Sequence, residues 1–345
     1  MKIPRVSFEE SLKKAVLPEK CVGCAACVVV CPFNCLDYVE QKPKIIKECK
    51  TCGICPQVCP RYDLSWPALE GFVFGRRSKP EEKFGIHRRL VIAQAIDKNV
   101  LQVCQDGGVV SALLRFALWN GTIDCAAISG TSKERALYAV PRLVTTSEEI
   151  LECAGTRYFF SPNLLALQEG VTQKRLYYSF FVGTPCQILA IRRIQMVPLK
   201  KYTNKLGIVI GLMCTESFTY QGLMKEHIQG IMGIDPQDIK KINIKGKVLI
   251  TMKNGETRSI SLSDAKQYAR RSCVLCSDFS AELADISVGG LGLANWSFAI
   301  LRTKEGEDFF EAAEKAHVIK TRHIEKEEKA LNLLNYLSTK KRKRR

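Results

Sequence analysis

The 345-residue sequence predicts an α/β domain carried behind a small module built around cysteine. Nine of the sixteen cysteines crowd into positions 21–59 at spacings of two or three. From Leu90 onward, apolar runs of strand length alternate with helical patterns. No apolar run approaches the roughly eighteen residues that a membrane-spanning helix needs. Hydrophobic residues at 46% and charged residues at 25% are ordinary globular usage, so two or three domains are expected.

Residues 1–20 read as a short amphipathic lead-in. Residues 1–9 have two early basic positions but no apolar stretch behind them, so they do not read as a secretory signal, and a cytoplasmic, reducing location is expected. In that compartment closely spaced cysteines mean metal rather than disulfides. Cys21, Cys24, Cys27 and Cys31-Pro32 follow C-x2-C-x2-C-x3-C-P, and Cys49, Cys52, Cys55 and Cys59-Pro60 repeat it. Cubane iron–sulfur clusters need soft thiolates, and in two-cluster ferredoxins the fourth cysteine of each run serves the other cluster. One set is therefore Cys21, Cys24, Cys27 and Cys59, and the other is Cys49, Cys52, Cys55 and Cys31. Structural zinc fits less well, because zinc ribbons separate their cysteine pairs by longer inserts. Cys35 is left over as a packed thiol. The region 1–65 thus reads as a bacterial-type two-cluster [4Fe–4S] ferredoxin module, too small to fold without its clusters as core.

The stretch 66–89 is rich in Pro, Gly and charge without sustained period, and reads as a linker. Within 90–320, the segments 90–96, 124–130, 176–183 and 206–214 are candidate buried strands. VVSALLRFALWNG is helical with Gly121 as its stop. A hairpin is expected over 242–262, turning at Asn254-Gly255. Residues 321–345 carry leucines at helical spacing and close with KKRKRR, a pattern that is usually a solvated tail and otherwise meets an anionic membrane or an acidic partner.

Cys186, Cys214, Cys273 and Cys276 sit in unlike settings; from spacing alone a third cluster, a zinc knuckle and packed thiols all remain open. Cys104, Cys125 and Cys153 lack a partner at ligand spacing and read as core. The four histidines form no ligand or triad pattern. Gln105, Asp106, Gly107 and Gly108 precede the VVSALL helix, whose first amides suit an anionic group such as a flavin pyrophosphate; a turn capped by Asp106 is the plainer reading. Arg157 and Tyr158 offer a phosphate partner and a stacking ring, or simply structure. The formal charge of +17, about +11 with three clusters bound, favours anionic partners. Nucleic acid ranks last among these, since aromatic residues are only 8% and do not interleave with a basic stripe.

Six segments then occur in order over about residues 90–310: QDGGVVSALL, AGTRYFFSP, FFVGTPCQILAIRR, GLMCTESF, CVLCSDFSAELADISVGG and SFAILRTKEG. Together they resemble the family of the beta subunits of coenzyme F420 hydrogenases and dehydrogenases. The resemblance implies an α/β flavoprotein domain that binds FAD and one further [4Fe–4S] cluster, with Cys186, Cys214, Cys273 and Cys276 as ligands. Its FAD-contacting positions would be Gln105, Asp106, Gly107, Gly108, Ser111, Gly155, Thr156, Arg157, Tyr158 and Thr184; no catalytic residue is assigned. With the ferredoxin module in front, the chain is similar to the electron-input subunits of reduced-F420 dehydrogenase complexes. The implied activity is oxidation of reduced coenzyme F420 by hydride transfer to FAD, then single-electron transfer through three clusters to a partner complex, free or at the inner face of the cell membrane. A cluster-only electron carrier, or a family member reducing another organic substrate, are the rival readings. One departure is Gly290, where many relatives carry a polar or acidic residue.

Overall fold

A computed structural model describes residues 3–17, 19–172, 178–197 and 199–345. The cysteine module holds a small antiparallel pair, β1 (Leu36–Val39) and β2 (Lys42–Ile45), between two short helices, Ala26–Val29 and Ile54–Val58. Its two motifs repeat one backbone path: Gly23 and Thr51 have φ +69° and +50°, and Ala25 and Gly53 have +66° and +69°. These left-handed residues turn the chain sharply enough for consecutive cysteines to face one centre. Gly53 has no alternative, since a Cβ there would lie 1.9 Å from the Pro4 carbonyl oxygen.

The larger part is an eight-stranded mixed sheet. Its strands are β3 (Arg89–Ala95), β4 (Cys125–Thr131), β5 (Ala139–Val144), β6 (Ser179–Gly183), β7 (Leu206–Leu212), and, beyond a separate meander of β8 (Ile239–Ile244), β9 (Lys247–Met252) and β10 (Thr257–Ser261), the strands β11 (Ile286–Gly289), β12 (Ser297–Leu301) and β13 (Ile319–Arg322). The order is β13-β3-β12-β11-β7-β6-β4-β5. The central four, β11, β7, β6 and β4, run parallel, and antiparallel neighbours close both edges. All four expected strands are present; for 176–183, positions 176 and 177 lie outside the described residues.

Both faces of the sheet are covered, as parallel strands require. Phe180, Val182, Ile208 and Ile210 point to the side of the helix Val109–Trp119, whereas Phe181 and Val209 point to the helix Pro185–Met196 and the cysteine module. The helix Val109–Trp119 buries Val109, Ala112, Leu113, Phe116 and Ala117, one stripe at helical spacing, and ends before Gly121 at φ +72°.

Four sequence expectations change. The stretch 66–89 holds a helix, Trp66–Phe74, begun by the Ser65 side chain accepting from the Ala68 N–H and ended at Gly75, φ +68°. The 242–262 hairpin is the middle and end of a three-stranded meander, because Lys245-Gly246 makes a second turn before Asn254-Gly255. β13 runs across position 320, and the helix Glu328–Arg342 packs Ala330 and Leu334 on Ile92, Phe298 and Ile300, so 321–345 is built into the sheet's core. KKRKRR is accordingly no solvated tail: Lys341 is 6% exposed.

Buried arginines fasten the module to the sheet. Arg193 donates to the carbonyls of Gln57 (2.6 Å), Tyr62 (2.7 Å), Asp63 (3.2 Å) and Pro56 (3.3 Å). Arg61 reaches the other way, to the carbonyls of Leu275 (2.8 Å) and Ser272 (3.1 Å), and the Tyr202 hydroxyl donates to the Val29 carbonyl at 2.6 Å. Each guanidinium satisfies carbonyls that helix ends and loops would otherwise leave unpaired.

Candidate functional site

Twelve cysteines fall into three mutually interacting groups. Burial pushes the Cys24 and Cys27 thiols far up, and the thiolates of Cys21 and Cys59 push both further. Burial raises Cys55 to about 12, with Cys52, Cys49 and Cys31 adding to it. Burial raises Cys186 to about 11, then Cys276 and Cys273 act on it; Cys214 is raised by burial and by those same three thiols. Thiols that burial raises in this way, Cys24, Cys27, Cys55, Cys186 and Cys214 among them, become thiolates readily only beside a positive charge such as a metal centre. Among the described residues no three His, Cys, Asp or Glu side chains close on one point as they would around a single ion.

Interactions between the groups place them in order. Cys55 acts on Cys27, and Cys186 acts on Cys24, so the Cys21 set lies between the Cys49 set and the Cys186 set. Arg270 and Arg61 stand at the second junction: Arg270 donates to the Val22 carbonyl at 3.0 Å and lowers both Cys21 and Cys273, while Arg61 lowers both Cys59 and Cys186.

The Cys186 set is assembled by the sheet. Cys186 follows β6 at the start of the helix Pro185–Met196, Cys214 follows β7, and Cys273 and Cys276 lie on and just after the short helix Arg271–Val274. Because β6, β7 and β11 are parallel neighbours, the loops that leave them share one sheet edge, the usual ligand edge of α/β folds. The leftover Cys35 is packed, its thiol donating to the Glu48 carbonyl at 3.1 Å.

The same edge carries the candidate flavin positions. β3 has the same sense as the central strands, and Gln105–Gly108 lead from it into the helix Val109–Trp119. Gly108, at φ +69°, caps that helix without any side-chain bond to its first amides, and Ser111 lies in its first turn. The buried side-chain nitrogen of Gln105 and the buried hydroxyl of Ser129 have no hydrogen-bond partner among the described residues. Uncapped amides and an unpaired donor suit an anionic, hydrogen-bonding group such as a flavin pyrophosphate. Burial raises the Asp106 carboxyl, opposed by Lys245 and Lys241 from the meander.

Other expected positions are placed differently. Arg157 is committed to structure: it donates to the carbonyls of Cys153, Ala154 (3.0 Å) and Gly155 (2.8 Å) and to the Thr131 hydroxyl. Tyr158 packs on the meander core, its oxygen accepting from the Ile244 N–H at 3.2 Å, and Thr156 is exposed beside Gly155 at φ +90°. Thr184 sits 3.3 Å from the Cys186 sulfur, beside a metal-ligand candidate. Residues that the sequence did not single out are Arg61, Arg270, Lys241, Lys245 and Ser129; Lys341 belongs to KKRKRR, which the sequence marked as a basic run but not as part of this site.

Residues 90–168 and 179–327 match the amino-terminal and carboxy-terminal halves of coenzyme F420 hydrogenase/dehydrogenase, beta subunit, and residues 15–37 match a 4Fe-4S binding domain. The chain belongs to the family of coenzyme F420 hydrogenase/dehydrogenase beta subunits. Coenzyme F420 hydrogenase subunit beta of Methanococcus voltae is 36% identical, over 76% of this chain and 93% of that protein. An F(420)H(2) dehydrogenase subunit of Methanosarcina mazei is 29% identical, over 87% of this chain and 84% of that protein. A chain of the F420-reducing [NiFe] hydrogenase complex from Methanosarcina barkeri superposes with a TM-score of 0.73 at 30% identity, covering 78% of this chain and 92% of that one. The sheet and its cysteine-bearing edge therefore belong to a family of F420-linked oxidoreductase subunits, and this member carries iron–sulfur-binding motifs at its amino-terminal side. Among the described residues no helix is long and apolar enough to cross a membrane.

Proposed function

We propose that the chain oxidises reduced coenzyme F420 at an FAD held on the sheet edge and passes the electrons singly through three [4Fe–4S] clusters to a partner complex. The observation that carries this reading is the convergence, on one edge, of the Cys186 set and the uncapped helix start beside Gln105, with the Cys21 and Cys49 sets following in line. A bound flavin supplies the conversion between a two-electron hydride donor and one-electron carriers.

The protein's own residues bind and orient. The first amides of the helix Val109–Trp119 and the side-chain nitrogen of Gln105 would hold the flavin's pyrophosphate, with Lys241 and Lys245 adding positive charge. Lys241 is itself positioned by donating to the Cys104 carbonyl at 3.4 Å. Arg157 ties the carbonyls of 153–155 together and so shapes the loop beside that site, a positioning role. Cys186, Cys214, Cys273 and Cys276 would hold the first cluster in the line; Cys21, Cys24, Cys27 and Cys59 the second; Cys49, Cys52, Cys55 and Cys31 the third. Arg61 and Arg270 lie between the first two and stabilise negative charge arriving at either. No side chain is needed as a strong acid or base.

The test is anaerobic purification followed by iron and flavin analysis and a visible spectrum before and after reduced F420. The reading expects about twelve irons, one FAD, and bleaching of both bands by reduced F420. Protein that holds its iron but has no flavin band would sink it in favour of a cluster-only carrier.

A further inference from the structure

The basic run that closes the sequence folds back onto the cysteines of the sheet edge. Lys341, buried at 6% exposure, donates from Nζ to the carbonyl of Cys214 at 2.8 Å and of Asp278 at 3.2 Å. Arg344 donates to the carbonyls of Cys273 at 3.2 Å and Cys276 at 3.3 Å. Three of the four cysteines in the set thus carry a cation from this run on their own backbone.

Neighbouring contacts hold the run in place. Arg342 grips the Glu282 carboxylate through two bonds of 2.8 and 2.6 Å, and Arg345 reaches the same carboxylate at 2.7 Å while its guanidinium lies 3.8 Å over the Trp66 ring. Glu282 is neutralised by these two arginines, so the charges of Lys341 and Arg344 are left to act on the cysteines. Asp278 is the opposing carboxyl in the region; its Oδ2 accepts from the Glu282 N–H.

We propose that Lys341 and Arg344 are positioning residues that raise the reduction potential of the cluster held by Cys186, Cys214, Cys273 and Cys276, favouring its reduced state. The proposal rests on the assignment of a cluster to that set. Such a cluster takes one electron, here from the flavin reduced by F420, and goes from about −2 to about −3 with no proton uptake. The buried cation of Lys341 stabilises the more negative state by Coulomb attraction that solvent screens little, and the exposed Arg344, tied to the carbonyls of Cys273 and Cys276, does so more weakly. Placed at the first carrier in the line, this makes it a ready acceptor of the electron.

The experiment is an EPR-monitored redox titration of the anaerobically purified full chain. Lys341→Met should lower the reduced-to-oxidised ratio of that cluster at fixed potential about tenfold, a fall of about 59 mV for a one-electron couple. Lys341→Arg should restore most of the shift, and Arg344→Gln should give a smaller fall of about threefold. Lys343→Met removes the same formal charge from an exposed position of the same run and should leave the potential unchanged. An unshifted potential in Lys341→Met with full iron overturns the proposal, as does an equal shift in Lys343→Met. If Lys341→Met sheds the cluster, Arg344→Gln decides alone, and no fall there overturns it. Wild-type protein with about eight irons would instead remove the cluster of the Cys186 set itself, a failure separable from that of the tuning role.

Discussion

The Asp106 carboxylate lies directly against Gly290: a Cβ built on that glycine would come within 2.4 Å of Oδ2. Gly290 follows β11 and Asp106 belongs to the loop that leads from β3, so two loops of one sheet edge meet at this contact. The glycine is the condition for the carboxylate's place.

Gly290→Asp should therefore expel Asp106 and add a second carboxylate beside it. Only a side-chain end must move, so folding should change little, while retention of the anionic flavin should weaken by about tenfold, equivalent to about 1.4 kcal/mol. Flavin content after gel filtration, compared with thermal stability, checks this. Unchanged retention would remove Asp106 and Gly290 from the flavin site.

Arg193 joins the module to the sheet through four carbonyls. Arg193→Ala would leave these acceptors buried and unpaired, at a cost of about 3 kcal/mol. The loss should fall on module docking, so electron delivery beyond the Cys186 set should slow more than F420 oxidation with a small artificial acceptor. Stopped-flow bleaching of the flavin and cluster bands would separate the two; equal slowing would show that Arg193 serves the whole fold.

The two ferredoxin-type motifs were legible as motifs because three cysteines of each are local: C-x2-C-x2-C brings three sulfurs together within one turn of chain, whatever surrounds it. Spacing alone did not group Cys186, Cys214, Cys273 and Cys276, which only the family resemblance joined, because Cys186 and Cys214 follow the parallel neighbours β6 and β7 whereas Cys273 and Cys276 precede β11 and reach them through the Ser217–Cys273 and Cys214–Phe279 contacts. The helix Trp66–Phe74 did have its signals, a Ser65 cap, Pro67 in the first turn and Gly75 beyond the end, but glycine and charge further on concealed them. KKRKRR misled most. Its composition is that of a solvated segment, and nothing local reveals that Leu334, two turns earlier, anchors the helix in the core and carries Lys341 to Cys214.

His87 supplies a pH dependence. Its Nδ1 lies 3.1 Å from the Gly85 carbonyl oxygen and its ring packs on Phe84. Burial lowers its pKa from the usual 6.5, Arg302 lowers it further, and Glu82 opposes both. The unfolded chain therefore binds the proton first, so this site's stability is full above pH 6.5 and declines as pH falls toward the lower folded value. Thermal midpoints between pH 7.5 and 5.5 should drop more steeply in the wild type than in His87→Gln. Parallel curves would mean that His87 is not protonated in this window.

Cys52→Ala tests the order of carriers. Cys52 belongs to the Cys49 set, and the interactions of Cys55 with Cys27 and of Cys186 with Cys24 put that set at the far end from the sheet edge. Losing a ligand there should remove about four irons and leave the Cys186 set untouched. Oxidation of reduced F420 with a small artificial acceptor should then persist, because electrons can leave before the missing carrier, whereas transfer to a protein acceptor should fall at least about tenfold. Equal loss of both activities, with the other two clusters still present by EPR, would put the Cys49 set next to the flavin and reverse the order of carriers.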